Sequence, residues 1–119
     1  MKYMLLLYAN PAQAPHYTPE EAQGARQGWF DVVAEMKAAG VYLTNDGLSP
    51  AAEARTVRVH NGKVVNTDGP IAKTGEHLSG YFMLDCKDFD EAVDWAAKLP
   101  YAKNGGSIEV RPVVSYSQS

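Results

Sequence analysis

The residues best suited to chemistry in this 119-residue chain cluster in one polar stretch, where Asp68-Gly69-Pro70 is followed by Glu76 and His77. A carboxylate and an imidazole on such a segment can pass a proton to and from a bound molecule, which makes Asp68 and His77 the candidate catalytic groups. The tripeptide also has a structural account: Asp bonds nearby backbone N–H groups, Gly admits a positive φ and Pro fixes the exit. Both accounts can hold at once. Arg58, earlier on the same segment, can either pair with Asp68 or Glu76 or offer its guanidinium to a ligand carboxylate or phosphate. Arg111 invites the same two readings. Tyr8, Tyr81 and Trp29 are core aromatics by type, yet the two tyrosine hydroxyls can also face a cavity. The candidate ligand-binding set is therefore Tyr8, Trp29, Arg58, Glu76, Tyr81 and Arg111.

Other chemistries find less support. His16, His60 and His77 share no spacing that sets two ligands on one face of a helix or strand, so no metal site and no cofactor are expected. Cys86, at the end of an apolar strand, reads as a small buried hydrophobe rather than a nucleophile. No Walker loop, dinucleotide fingerprint or nucleophile elbow occurs, and Asn104-Gly105-Gly106 is too short to cradle a phosphate. A formal charge of −3 and a pI near 5.5 argue against nucleic acid or an anionic membrane as partner. One cysteine permits no internal disulfide, no apolar run is long enough to span a bilayer, and Met1–Tyr8 lacks the cleavage pattern of a leader. The expected location is the cytoplasm.

These residues need a frame, and the hydrophobic pattern supplies one. Lys2–Tyr8 alternates Tyr3, Leu5, Leu7 with Met4, Leu6, Tyr8, so both faces are apolar and the strand is central. After a loop with Pro11 and Pro15, Thr18-Pro19-Glu20-Glu21 forms a capping box. The helix it opens has Ala22, Ala25, Trp29, Val32, Val33, Met36 and Ala39 on one side and stops at Gly40. Val41–Leu48 reads as a strand interrupted or ended at Asn45-Asp46-Gly47. Arg55–His60 and Lys63–Thr67 flank Asn61-Gly62, the signature of a tight hairpin. A polar stretch runs to Leu78, and Gly80–Cys86 is a second strand apolar on both faces. Asp88-Phe89-Asp90-Glu91 forms another capping box, opening a helix whose face is Phe89, Ala92, Val93, Ala96 and Leu99 before Pro100 stops it. Ser107–Val113 is the last strand and Ser115–Ser119 a frayed tail, giving a single domain over residues 1–114.

The order β-α-β, hairpin, β-α-β is the split β-α-β pattern of an α+β, ferredoxin-like fold once the hairpin is set aside. Right-handed crossovers put both helices on one sheet face and make the two doubly apolar strands central. The other face then needs a lid, and a second copy of the chain is the simplest, so a homodimer with sheets facing each other is expected.

The chain resembles the YCII-related family, and within it the DGPF-domain branch. The resemblance runs through Lys2–Tyr8 (KYMLLLY), Gly40-Val41, Gly47-Leu48 with Pro50, Thr56-Val57-Arg58 with Asn61-Gly62-Lys63, and Thr67-Asp68-Gly69-Pro70. It continues through Gly80-Tyr81-Phe82, Asp90-Glu91-Ala92 with Trp95-Ala96, and Glu109-Val110-Arg111-Pro112. It implies a dimeric α+β barrel of ferredoxin-like subunits. Two positions depart from the pattern: Ile71 stands where the branch has Phe, and Lys73 replaces an acid in Ala72-Lys73-Thr74-Gly75-Glu76. Trp29 falls near the position of a helix His that, in the broader family, is proposed to act with an Asp, so that His–Asp pair does not carry over. Three functions follow as expectations. The first is a small-molecule binding dimer with an intersubunit cleft. The second is an enzyme of acid–base type, lyase-, dehydrochlorinase- or isomerase-like. The third, implied by the genomic company of the branch, is a regulatory partner of a sigma factor.

Overall fold

Strand β1 (Lys2–Ala9) buries Tyr3, Leu5 and Leu7 on one face and leaves Met4, Leu6 and Tyr8 half-covered on the other, as a central strand with two apolar faces should. The computed structural model describes residues 1–10, 12, 16–72 and 75–116. Pro11 and Pro15, Lys73-Thr74 and residues 117–119 of the expected tail lie outside them. In chain order the elements are β1 (Lys2–Ala9), α1 (Pro19–Ala38), β2 (Tyr42–Gly47), a 3-10 turn at Ala51–Glu53, β3 (Arg55–His60) and β4 (Lys63–Asp68). Then come β5 (His77–Asp85), α2 (Phe89–Lys98), the one-turn α3 (Pro100–Lys103) and β6 (Ser107–Pro112). The main sheet runs β2-β5-β1-β6 with all neighbours antiparallel, so each helix crosses over one intervening strand and the fold is α+β and ferredoxin-like.

Local chemistry accounts for the element ends. Thr18 Oγ1 accepts from the Glu21 N–H at 3.1 Å and Glu21 Oε1 accepts from the Thr18 N–H at 3.2 Å, closing the capping box of α1. Gly40, at φ +75°, ends that helix. At α2 the box is only half made: Asp88 accepts from the Glu91 N–H, but the Glu91 carboxylate accepts from the Lys87 N–H at 2.8 Å instead of reaching Asp88. Pro100, expected only to stop α2, also starts α3, where its missing N–H costs nothing. The core between helices and sheet is Leu5, Phe82, Leu84, Met36 and Leu99, with Trp29 tilted over Phe82 at 5.0 Å. Trp95 is buried on α2 where Val93 was expected; Val93 and Phe89 are exposed.

The opposite sheet face is open. Register lays across it the rows Arg111–Met4–Met83–Thr44, Glu109–Leu6–Tyr81–Asp46 and Ser107–Tyr8–Leu78. The middle of this face is apolar and its two edges are polar or charged. β5 begins at His77, earlier than the expected Gly80, because a bulge between Leu7 and Tyr8 lets Leu78 and His77 go on pairing with Tyr8 and Ala9. The β3–β4 hairpin forms a separate two-stranded sheet, turned by Asn61 at φ +50° and Gly62 at φ +76°. With the hairpin projecting, the radius of gyration is 16.7 Å, against about 13.5 Å for a compact domain of this length. The accessible surface, 8408 Å², exceeds the roughly 6,300 Å² of a compact monomer of 13.0 kDa by about 2,000 Å².

Candidate functional site

At the Tyr8–Leu78 end of the open face, a cleft of about 630 Å³ separates the sheet from the base of the hairpin. Its walls come from five places: Tyr8 at the end of β1, Leu48–Ala51 after β2, Arg55–Val57 on β3, Pro70–Ala72 after β4, and Glu76–Leu78 entering β5. Asp68-Gly69-Pro70 holds the wall together. Gly69, at φ +98°, donates its N–H to the Ala54 carbonyl at 2.7 Å, and its own carbonyl accepts from Thr56 Oγ1 at 2.8 Å. Thr56 is the one buried polar side chain among the described residues, and this bond satisfies it. Asp68 lies 3.6 Å from Arg55 Nε with both side chains largely exposed, so the pair contributes little to stability. Glu76 is held from the other side, its Oε1 accepting from Ser107 Oγ at 2.9 Å. The cleft thus offers a half-buried imidazole, a fixed carboxylate, a guanidinium and a phenol against walls of Leu, Pro and Ile. Such a mixture can bind a small, partly apolar molecule with a hydrogen-bonding head group.

One step along the same face, Tyr81 donates its hydroxyl to Asp46 Oδ2 at 2.7 Å. That bond holds the phenol's proton, and with some desolvation and the carboxylate's charge it raises the Tyr81 pKa above the usual tyrosine value. A second cavity, of about 350 Å³, lies among helical residues, lined by Trp29, Phe30, Tyr17, Arg26 and Tyr101 together with the end of β1. The Tyr101 hydroxyl bonds Ser79 Oγ, which in turn donates to the Leu7 carbonyl at 3.2 Å inside the bulge.

The sequence candidates are therefore divided. Tyr8, Glu76 and His77 meet in the cleft. Tyr81 and Arg111 lie on the open face beyond it, and Trp29 lines the other cavity. Arg58 does not reach Asp68: it stands opposite Val65 on the other side of the hairpin, and Arg55 takes the pairing instead. Counting back from the two-residue turn at Asn61-Gly62 fixes this, since His60 faces Lys63 and each step outward keeps register until Arg55 faces Asp68. Asp46 and Arg55 are the polar residues the candidate set lacked. His16 and His60 are exposed. Cys86 is buried, and desolvation, aided by Glu91 and Asp85, pushes its thiol up to about 11. Among the described residues, no three His, Cys, Asp or Glu side chains gather closely enough to hold a metal ion. No described helix is long and apolar enough to cross a membrane.

The chain is similar to an uncharacterized protein of Rhizobium meliloti (strain 1021), 33% identical over 117 residues that cover 98% of this chain and 94% of the relative. The YCII-related domain matches residues 1–117, the same span that carries the sheet, the hairpin and the cleft. On that end-to-end match, the chain belongs to the YCII-related domain family.

Proposed function

We propose that this protein is a cytoplasmic homodimer that binds a small molecule in the cleft at the Tyr8–Leu78 end of the sheet, with a second copy laid over the open face. The carrying observation is the convergence of Tyr8, Arg55, Glu76 and His77, from three separate stretches of chain, on a cleft that opens along an apolar sheet face. A half-covered apolar centre rimmed by Arg111, Glu109 and Asp46 has the anatomy of an interface. Two such faces packed together would form the dimeric α+β barrel. Asp68-Gly69-Pro70 at the hairpin base supports placement in the DGPF branch despite Ile71. A second reading, proton transfer by His77, is favoured by one observation: its half-buried ring lines the cleft beside Glu76.

The test is a fragment screen by ¹⁵N-edited NMR with a panel of small carboxylates, amides and phenols. The expected hits shift the amides of Tyr8, Glu76 and His77, and the shifts disappear in His77→Ala. Hits that fall instead around Trp29 and Tyr101 would move the site to the helix-side cavity and defeat this reading. Turnover of any hit that is lost in His77→Gln, while binding persists, would favour the enzymatic reading.

A further inference from the structure

The β3–β4 hairpin has two unlike sides. Register puts Arg55, Val57, Val59, Val64, Asn66 and Asp68 on one side, and Thr56, Arg58, His60, Lys63, Val65 and Thr67 on the other. Val57, Val59 and Val64 are 60%, 69% and 69% exposed. Two strands alone are marginal in water, and a cluster of three open valines makes the arrangement costlier still. Yet the ribbon is specified, with β-branched residues along its length and the turn residues a right-twisted hairpin needs. Val57 also lines the cleft together with Tyr8 and Leu78 of the open sheet face. The valine side therefore continues the sheet's apolar surface past the edge of the sheet.

The size of that surface bears on what could cover it. The chain exposes about 2,000 Å² more than a compact monomer, whereas a standard interface takes roughly 800 Å² from each partner. An excess on this scale is more than the sheet face of a standard contact uses, and leaves area for a contact that reaches beyond it. We propose that the hairpin is an arm, and that in the dimer each copy seats the Val57, Val59 and Val64 side on the other copy beside its cleft. Each cleft is then closed on its open side by the partner's arm and is incomplete in a single chain. A two-fold contact makes the exchange reciprocal. Arg58, His60 and Lys63, on the reverse side, remain in water. This inference rests on the dimer proposed above, and the experiment separates the two.

Arg58 and Lys63 place trypsin sites at the arm's tip, so cleavage there reports its local opening. The full chain is digested as wild type and as Leu6→Asp, which puts a charge in the centre of the open face, and cleavage after Arg58 and Lys63 is timed by mass spectrometry. The expected result is a dimer by sedimentation whose arm is cut about tenfold or more slowly than in the Leu6→Asp monomer. A dilution series of the wild-type chain gives the same comparison if Leu6→Asp fails to fold, with cutting that speeds up as the dimer dissociates. The pair Val59→Thr and Val64→Thr keeps β-branched shape and should raise the dimer dissociation constant about tenfold or more while leaving the monomer's melting unchanged. A stable dimer whose arm is cut as fast as the monomer's overturns the arm and leaves the dimer standing. A wild-type monomer at all concentrations overturns both.

Discussion

Replacing Leu5 and Leu6 by alanine, one at a time, tests the two faces of β1 with side chains that differ only in direction. Leu5 is fully buried between its neighbours Phe82 and Val110, and truncation there leaves a cavity as well as losing the transfer energy. The expected cost is about 3–4 kcal/mol of unfolding free energy, a large share of what holds a domain of this size. Leu6 is half-covered within the chain, so its truncation costs the folded monomer little. Where a second copy buries the remaining half, each chain loses about 1 kcal/mol. A symmetric contact counts this twice, and about 2 kcal/mol per dimer is about thirtyfold in the dissociation constant. Urea titration at concentrations where the chain is monomeric reads the first quantity, and sedimentation across a dilution series the second. Leu5→Ala should lower the unfolding midpoint and leave association alone, and Leu6→Ala should do the reverse. Equal effects on both measurements, or a Leu6→Ala chain that associates as wild type does, would refute the assignment of the two faces.

Cys86, its thiol pushed up to about 11, should resist Ellman's reagent in the native state at mildly alkaline pH and react fully in urea; rapid native labelling would show that it is not buried. Tyr81 should be among the last of the seven tyrosines to ionise in an ultraviolet pH titration, and Asp46→Asn should bring it back toward the others. Because its folded pKa is raised, the stability it contributes is complete below the ordinary tyrosine value near 10 and is lost as pH climbs through the raised one. Asp68→Asn should cost no more than about 1 kcal/mol in urea, since the Asp68 side chain is almost fully exposed, and a loss of several kcal/mol would contradict that. Gly69→Ala, which forces φ +98° on a side chain, should cost more than Asp68→Asn.

The frame was legible because each of its signals is local or periodic. Two-sided apolar strands, a Thr18 cap, a Gly40 stop and an Asn61-Gly62 turn each state their structure within a few residues. The cleft was legible only in part, since Tyr8, Glu76 and His77 carry side chains that attract notice wherever they stand. Its other wall did not announce itself: Leu48–Ala51 are unremarkable in type and reach the site only because the chain folds back through the 3-10 turn. The bulge that extends β5 to His77 depends on the pairing between β1 and β5, which no window of sequence contains. The Val93-for-Trp95 error on α2 has a similar cause. Periodicity alone admitted both residues near the apolar stripe, and packing against the sheet chose the larger.

The outer strands of the sheet carry a further consequence. β2 departs from regular pairing between Tyr42 and Thr44 and ends in Asn45-Asp46-Gly47, while β6 is short, carries Glu109 and Arg111, and closes on Pro112. Neither rim offers a long, straight row of free amides for another strand to join. Growth of the sheet sideways into a fibre is therefore blocked at both ends, and its stickiness is directed out of the plane. In the proposed dimer that out-of-plane surface is used up by one partner copy, so pairing ends at two chains.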